Sequence, residues 1–255
     1  MVPGVALSSG RPPQADAGVH AIPGRKPVSE ALRAGRRLQA VTVDRRAAAD
    51  LEALLSAAQQ AGVSVRRGDR DDLDRLSGGV RHQGVVATAP PYPYRRLAEL
   101  GDTDLLVVLD GVTDPQNLGA IARSAEAAGA GGLVVRERRS AGVTPAAEKA
   151  AAGALSWLPV VMVPNIVRAL GDLTERGFWS VGLATAAPVT LWDCGLFDGK
   201  VAITVGGEGE GLSRLVAQRV DQLVRIPMSG TLESLNASAA AAVTLFEIAR
   251  RKTLL

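Results

Sequence analysis

Apolar and polar positions along the chain change character near residue 100. Before it the apolar residues fall into short, broken groups. Helical spacing predicts helices over 28–34, 47–61 and 71–76, and brief β-branched runs predict strands over 38–43, 63–66 and 84–87. After it, Leu105, Leu106, Val107, Val108 and Leu109 form an unbroken apolar run, the pattern of a parallel strand covered on both faces. Similar runs at 132–135, 160–163, 179–183, 201–205 and 223–226 alternate with helical stretches over 118–128, 145–152, 166–176, 213–220 and 235–251. Strands and helices in alternation imply an α/β domain on a mainly parallel sheet, whose ligands bind in the loops beyond the strands' carboxyl ends.

The same pattern divides the chain. Residues 1–21 mix Gly, Pro, Ser and Ala without periodicity and read as a flexible leader. Residues 22–89 form a small α/β domain, 90–103 a linker and 104–255 the larger domain. Three prolines in the six positions from Ala89 to Tyr94 make the linker's start extended and stiff, with Tyr92 and Tyr94 expected to pack against a domain face.

Composition narrows the chemistry more than the fold. With 255 residues, 47% hydrophobic and 22% charged, the chain can bury a core and is neither collagen-like, coiled coil nor low-complexity. No apolar run reaches the ~18–20 residues of a bilayer span, and the start lacks the features of a signal peptide, which points to the cytoplasm and away from membranes. A single cysteine, Cys194, cannot form an intrachain disulfide, and with only His20 and His82 beside it no metal site is expected. Scarce His and Cys leave any catalysis to Ser, Asn, Glu or Arg with backbone groups.

Charge is uneven. Residues 1–100 carry 15 Lys/Arg against 10 Asp/Glu, whereas residues 101–255 carry 14 against 16. The excess is nearly all arginine, which forks onto phosphate and stacks on bases, so an RNA-binding first domain is one reading. A coding bias toward Ala, Arg and Gly is the other.

Three loops of the larger domain carry candidate chemistry. The first runs from Asp110 to Gly119 into a helix; Asn117 suits an N-cap, and Arg123 either reaches back toward the loop or pairs with Glu126 three residues on. The second, Gly206-Gly207-Glu208-Gly209-Glu210-Gly211, has four glycines in six positions, so its backbone can approach a ligand closely. Its spacing and place are not those of a dinucleotide-binding turn, and its two carboxylates suit a cationic ligand or a base acting on a hydroxyl. The third runs from Ile226 to Ser238. There Ser234 or Asn236 can cap the terminal helix, or join its free amides in holding an anionic or hydroxyl-bearing group.

The order and spacing of these loops resemble the three motifs of the SpoU (TrmH-like) branch of the SPOUT RNA methyltransferases. The matching stretches are Asn117-Leu118-Gly119-Ala120-Ile121-Ala122-Arg123-Ser124, the glycine loop through Leu212-Ser213, and Ile226-Pro227-Met228 with Glu233-Ser234-Leu235-Asn236-Ala237-Ser238. The first domain is similar to that family's L30e-like substrate-binding module: Gly24-Arg25-Lys26-Pro27 matches its opening and His82-Gln83-Gly84-Val85 its closing strand.

The resemblance implies methyl transfer from S-adenosylmethionine to a ribose 2′-OH, in a domain tied as a trefoil knot, working as a homodimer. It implies catalytic roles for Arg123, Asn117 (as the residue that holds Arg123), Glu208, Ser234 and Asn236. The cofactor would be enclosed by Thr185, Ala186, Gly206, Gly209, Ile226, Met228 and Leu235, and RNA would meet Arg25, Lys26, Arg36, Arg37, His82 and Gln83. The region from Ala147 to Pro159 looks most like that of enzymes acting on a guanosine of 23S ribosomal RNA; transfer RNA or an antibiotic-resistance site in ribosomal RNA would use the same motifs. Two departures are Gly207 where the family commonly has Asn, expected to loosen the second loop, and Ala237 where it commonly has Val. The rival readings are a non-catalytic RNA-binding assembly factor and a nucleotide-dependent oxidoreductase.

Overall fold

The structure, a computed structural model, describes residues 18–47 and 51–253. The first unit comprises β1 (His20–Pro23), α1 (Arg25–Arg33), β2 (Ala40–Asp44), α2 (Glu52–Gln60), β3 (Ser64–Gly68), α3 (Arg70–Ser77) and β4 (Val85–Ala89). Its sheet has the order β1-β4-β2-β3, with only β2 and β3 parallel. Strand β1 takes in His20 and Ala21, which the sequence places in the leader; the rest of that leader up to residue 17 lies outside the described residues, as do residues 48–50 of the predicted second helix.

The second unit comprises β5 (Leu105–Asp110), α4 (Pro115–Ala127), β6 (Leu133–Arg136), α5 (Pro145–Ala151), β7 (Val160–Val163), α6 (Ile166–Glu175), β8 (Trp179–Leu183), β9 (Val189–Thr190), β10 (Val201–Gly206), α7 (Arg214–Arg219), β11 (Gln222–Arg225) and α8 (Ala237–Thr253). Its seven strands run β7-β6-β5-β10-β8-β11-β9, and every neighbouring pair is parallel. Both faces are covered, which explains the unbroken apolar runs. Leu105, Val107 and Leu109 point into one core with residues of α4, α5 and α8, while Leu106 and Val108 point into the other with residues of α6 and α7. Connections from β5 lead one way to β6 and β7, whereas β10 and β8 lie on its other side. The loops after β5 and β10 therefore meet where the strand order reverses, the place at which open parallel sheets bind ligands.

Close helix packing fixes the first of these loops. A Cβ on Gly119 would lie 2.3 Å from the Ala147 carbonyl oxygen and 2.7 Å from the Ala150 Cβ, so α4 and α5 touch through backbone. Gly119→Ala is expected to force them apart and lower stability by about 1–3 kcal/mol. Chemical denaturation reads this directly, and an unchanged midpoint contradicts the close approach.

The linker is docked. Arg95 pairs with the edge strand β7, its N–H donating to the Val160 carbonyl at 2.8 Å and its carbonyl accepting from Met162 N at 3.2 Å. Tyr92 donates to the Leu155 carbonyl at 3.1 Å, and the Tyr94 hydroxyl accepts from Val143 N at 2.7 Å. Burial, reinforced by the charge of Glu148, pushes the Tyr92 hydroxyl well above its ordinary pKa.

Beneath these tyrosines the two units share a buried ionic cluster. Glu148 of α5 is fully buried, with Oε1 2.7 Å from His20 Nε2 and 2.6 Å from Arg36 Nη1. The Arg36 guanidinium lies 5.1 Å from the centroid of the Tyr92 ring. Arg36, which the resemblance assigns to RNA, is here mostly buried and paired with an internal carboxylate. His82 is likewise buried, its Nδ1 accepting from Gly84 N and its Nε2 lying 3.1 Å from Asp74 Oδ1, which makes it a strut of its own loop.

Candidate active site

Helix α4 starts one residue after Asp114, whose carboxylate accepts from Gln116 N at 2.8 Å, with Pro115 at the first helical position. Asn117 is therefore not the cap. It sits inside the first turn, buried, and its amide is free to bond across loops. Its Nδ2 donates to Glu208 Oε1, and its Oδ1 accepts from Asn236 Nδ2 at 3.1 Å. Asn236 in turn caps α8, its Oδ1 accepting from Ser238 N at 2.8 Å and Ser238 Oγ at 2.6 Å. One chain of hydrogen bonds, Glu208 to Asn117 to Asn236, joins all three loops.

Arg123 does not belong to that chain. Six residues on from Asn117, an ideal helix has turned by about 600° and risen about 9 Å, so the two side chains leave different faces. Arg123 is exposed; among the described residues it makes neither the expected bond to Asn117 nor the alternative ion pair with Glu126. Ser234 is also exposed, on the loop leading to Asn236.

The second loop is a tight turn held by β5. Gly207 N donates to the Asp110 carbonyl at 2.9 Å, Gly211 N donates to the Gly207 carbonyl at 3.1 Å, and the buried Asp110 carboxylate accepts from Ser213 N at 2.7 Å. Gly209 and Gly211 have φ of +84° and +67°, conformations that favour glycine. A Cβ on Gly206 would lie 2.1 Å from the Gly211 carbonyl carbon, and one on Gly207 2.2 Å from the Gly111 oxygen. Gly207 thus permits close packing of two strand ends instead of loosening the turn. Asp110 is a positioning residue that sequence reasoning missed; its signal is a carboxylate closing an otherwise apolar strand.

The residues assigned to the cofactor gather at one edge of the sheet. Thr185 and Ala186 follow β8, Gly206 and Gly209 end or follow β10, and Ile226 and Met228 follow β11, three strands adjacent in the sheet. The Thr185 turn is fixed from below: Ala184 N donates to the Val224 carbonyl at 3.0 Å, and Arg225 Nη1 donates to the carbonyls of Ala187 at 2.5 Å and Pro188 at 2.7 Å. Ile226 is partly buried against the core, whereas Met228 and Leu235 are large apolar side chains left 38% and 39% exposed. Among the described residues no group of His, Cys, Asp and Glu is arranged to hold a metal ion, and no helix is long and apolar enough to cross a membrane.

Of the residues expected to meet RNA, Arg25, Lys26 and Arg37 are exposed on the first unit. Gln83 is exposed too, but its Oε1 accepts from Lys149 Nζ of the second unit at 2.7 Å.

Comparison with known proteins agrees with this division. The profile described as the SpoU rRNA Methylase family matches residues 104–246, and that described as RNA 2′-O ribose methyltransferase substrate binding matches residues 21–95. A tRNA/rRNA methyltransferase of Mycobacterium avium, described as uncharacterized, is 42% identical over 252 residues, covering 95% of this chain and 81% of the relative. The 23S rRNA (guanosine-2′-O-)-methyltransferase RlmB of Xylella fastidiosa is 44% identical over 207 residues, covering 77% of this chain and 82% of its own. Among solved structures, the SpoU methyltransferase AviRb from Streptomyces viridochromogenes, in complex with the cofactor AdoMet, superposes with a TM-score of 0.80 at 28% identity, covering 97% of this chain and 96% of that one.

Proposed function

The chain belongs to the SpoU rRNA methylase family, and we propose that it transfers the methyl group of S-adenosylmethionine to a ribose 2′-hydroxyl of ribosomal RNA. The observation that carries this reading is the hydrogen-bonded chain Glu208–Asn117–Asn236, which brings three loops together at the carboxyl ends of parallel strands. The relative from Xylella fastidiosa supports a guanosine of 23S rRNA as the target, and a ribosomal RNA substrate fits action in the cytoplasm.

The residues present suit the cofactor. Exposed Met228 and Leu235 offer apolar surface to an adenine ring, and the backbone of the Thr185 and Gly206–Gly209 turns offers amides and carbonyls to its polar edge. When bound, S-adenosylmethionine supplies an electrophilic methyl group on a cationic sulfur that leaves as a neutral thioether. The protein's part is to present the nucleophile and stabilise its developing charge. A guanidinium is a poor base, so Arg123 acts by binding the target phosphate and stabilising the forming alkoxide. The hydroxyl's proton leaves through a neighbouring group or water. Glu208, Asn117 and Asn236 hold the loops in register, and the exposed Ser234, two residues before Asn236, offers its hydroxyl to the substrate.

Finer features follow from the same reading. The first unit acts as an L30e-like RNA module. The larger domain is tied as a trefoil knot, a reading supported by the way α8 packs on α4 and ends with Arg251 donating to the Trp192 and Cys194 carbonyls and Lys252 donating to the Asp104 carbonyl. A homodimer is supported by the apolar face of α8, where Val243 and Phe246 are 36% and 53% exposed.

The guanidinium role is tested by Arg123→Lys, which keeps the charge but loses the planar fork. Methyl transfer is expected to fall about 100-fold with S-adenosylmethionine affinity unchanged. Near-normal turnover would show that no specific guanidinium role exists.

A further inference from the structure

A groove of about 660 Å³ opens on the first unit between the start of α1, the end of α3 and the loop before β4. Arg25, Arg70 and Arg81 stand on its walls, with His82, Gln83 and Gly84 below. Its two acids are already engaged. Asp44 accepts from Arg46 N, and Asp74 meets His82 at 3.1 Å and Arg70 at 3.7 Å. Gln83 holds a left-handed φ of +54°, fixed between the buried His82 and Gly84, and its amide oxygen accepts from Lys149, which comes from the other unit. Gly24, whose φ of +110° favours glycine, leaves room for this ammonium, since a Cβ there would lie 2.4 Å from Lys149 Nζ. The ammonium thus sits beside Gly24 and Gln83, and Gln83 lines the groove.

Two of these cations lack a counter-charge. Among the described residues, neither Arg81 nor Lys149 forms an ion pair, and the one hydrogen-bond acceptor shown for Lys149 is a neutral amide. Burial, and after it the charge of Arg81, hold the Lys149 pKa below its ordinary value. Two like charges brought together from separate units, one of them partly desolvated, oppose folding of the free protein and are relieved by an anion placed between them.

We propose that Arg81 and Lys149, with Arg25 beside them, bind one phosphodiester of the RNA where it passes from the first unit to the second. The proposal rests on the RNA-methyltransferase reading and adds to it a fixed point of grip. A phosphate held here by residues of both units sets the distance along the strand between the module and the methyl-transfer site. Contacts of this kind place the RNA without reading its sequence.

Filter binding of deproteinised ribosomal RNA between 50 and 200 mM KCl tests it, with the wild type beside Arg81→Gln, Lys149→Gln and Lys149→Arg. Lys200→Gln serves as the control, because Lys200 lies just before β10, at the opposite edge of the sheet from the site, and pairs with Asp102. Losing one phosphate contact flattens the plot of log affinity against log salt by about 0.7–0.9. Arg81→Gln and Lys149→Gln should each show that flattening and lose roughly tenfold in affinity at low salt, raising KM for RNA while kcat and S-adenosylmethionine affinity stay put. Lys149→Arg should restore the slope. If both Gln variants match Lys200→Gln in slope and affinity while the wild type still methylates RNA, the site is overturned and the functional reading survives. A wild type that neither binds nor methylates RNA overturns both. Arg81 is exposed and without structural partners among the described residues, so its variant remains informative should Lys149→Gln fail to fold.

Discussion

Replacing Glu148 by alanine is expected to destabilise the protein by about 3–5 kcal/mol, the range for breaking a buried charge pair from one side. The carboxylate is fully buried, and both of its partners, His20 at 2.7 Å and Arg36 at 2.6 Å, come from the first unit. Its removal leaves the Arg36 guanidinium against the Tyr92 ring without the carboxylate it pairs with. The loss should appear in urea unfolding as a lower midpoint. It should also loosen the first unit, read as faster amide exchange in β1, which packs on α5. A midpoint shift equivalent to less than about 1 kcal/mol, the scale of an exposed pair, would contradict a structural role for this cluster. Replacing Arg36 alone is the reciprocal test, since it leaves Glu148 with His20 only.

Asn117→Ala is the second large effect. It removes the residue that bonds both Glu208 and Asn236, so the glycine turn and the start of α8 lose their common tie. Misplacing reacting groups by about 1 Å can cost about 100-fold in rate, and a fall of that order in methyl transfer is expected. Stability should drop by only about 0.5–1.5 kcal/mol, because Asn117 is buried but Glu208 and Asn236 are exposed and turn to water when it is gone. Asn117→Asp is the sharper variant. It preserves size but sets a carboxylate against Glu208, so transfer should fall at neutral pH and recover in part as acidification neutralises one of the two. Activity within twofold of wild type for Asn117→Ala would show that the three loops are held by something else.

Much of the fold was legible because its strands are buried on both faces. Leu105–Asp110 reads as a strand from its apolar run alone, and the helices between strands start and stop close to their expected limits. Short elements escaped. Strand β1 has four residues beside a Gly- and Pro-rich stretch and takes its order from pairing with β4, while β9 has two. Side-chain roles were legible only where the partner is local in sequence. The cap of α4 was available in principle, since Asp114 before Pro115 is a stronger start signal than Asn117 three residues after it. The family resemblance places Arg36 and His82 at an RNA-facing surface, and the structure buries both side chains. What buries Arg36 is a carboxylate 112 residues away, which no local pattern reveals. The bond from Asn117 to Asn236 spans 119 residues and depends on β5 and β11 ending at the same edge of the sheet.

Methyl transfer from labelled S-adenosylmethionine to deproteinised ribosomal and transfer RNA, followed by alkaline hydrolysis, tests the proposed reaction most directly. A 2′-O-methyl group blocks cleavage at the adjacent phosphodiester, so the expected result is label in alkali-resistant dinucleotides from ribosomal RNA, with wild type and not with Arg123→Ala. Label confined to mononucleotides would mean methylation of a base, and transfer unaffected by loss of Arg123 would mean a different site; either contradicts a ribose methyltransferase built on these three loops.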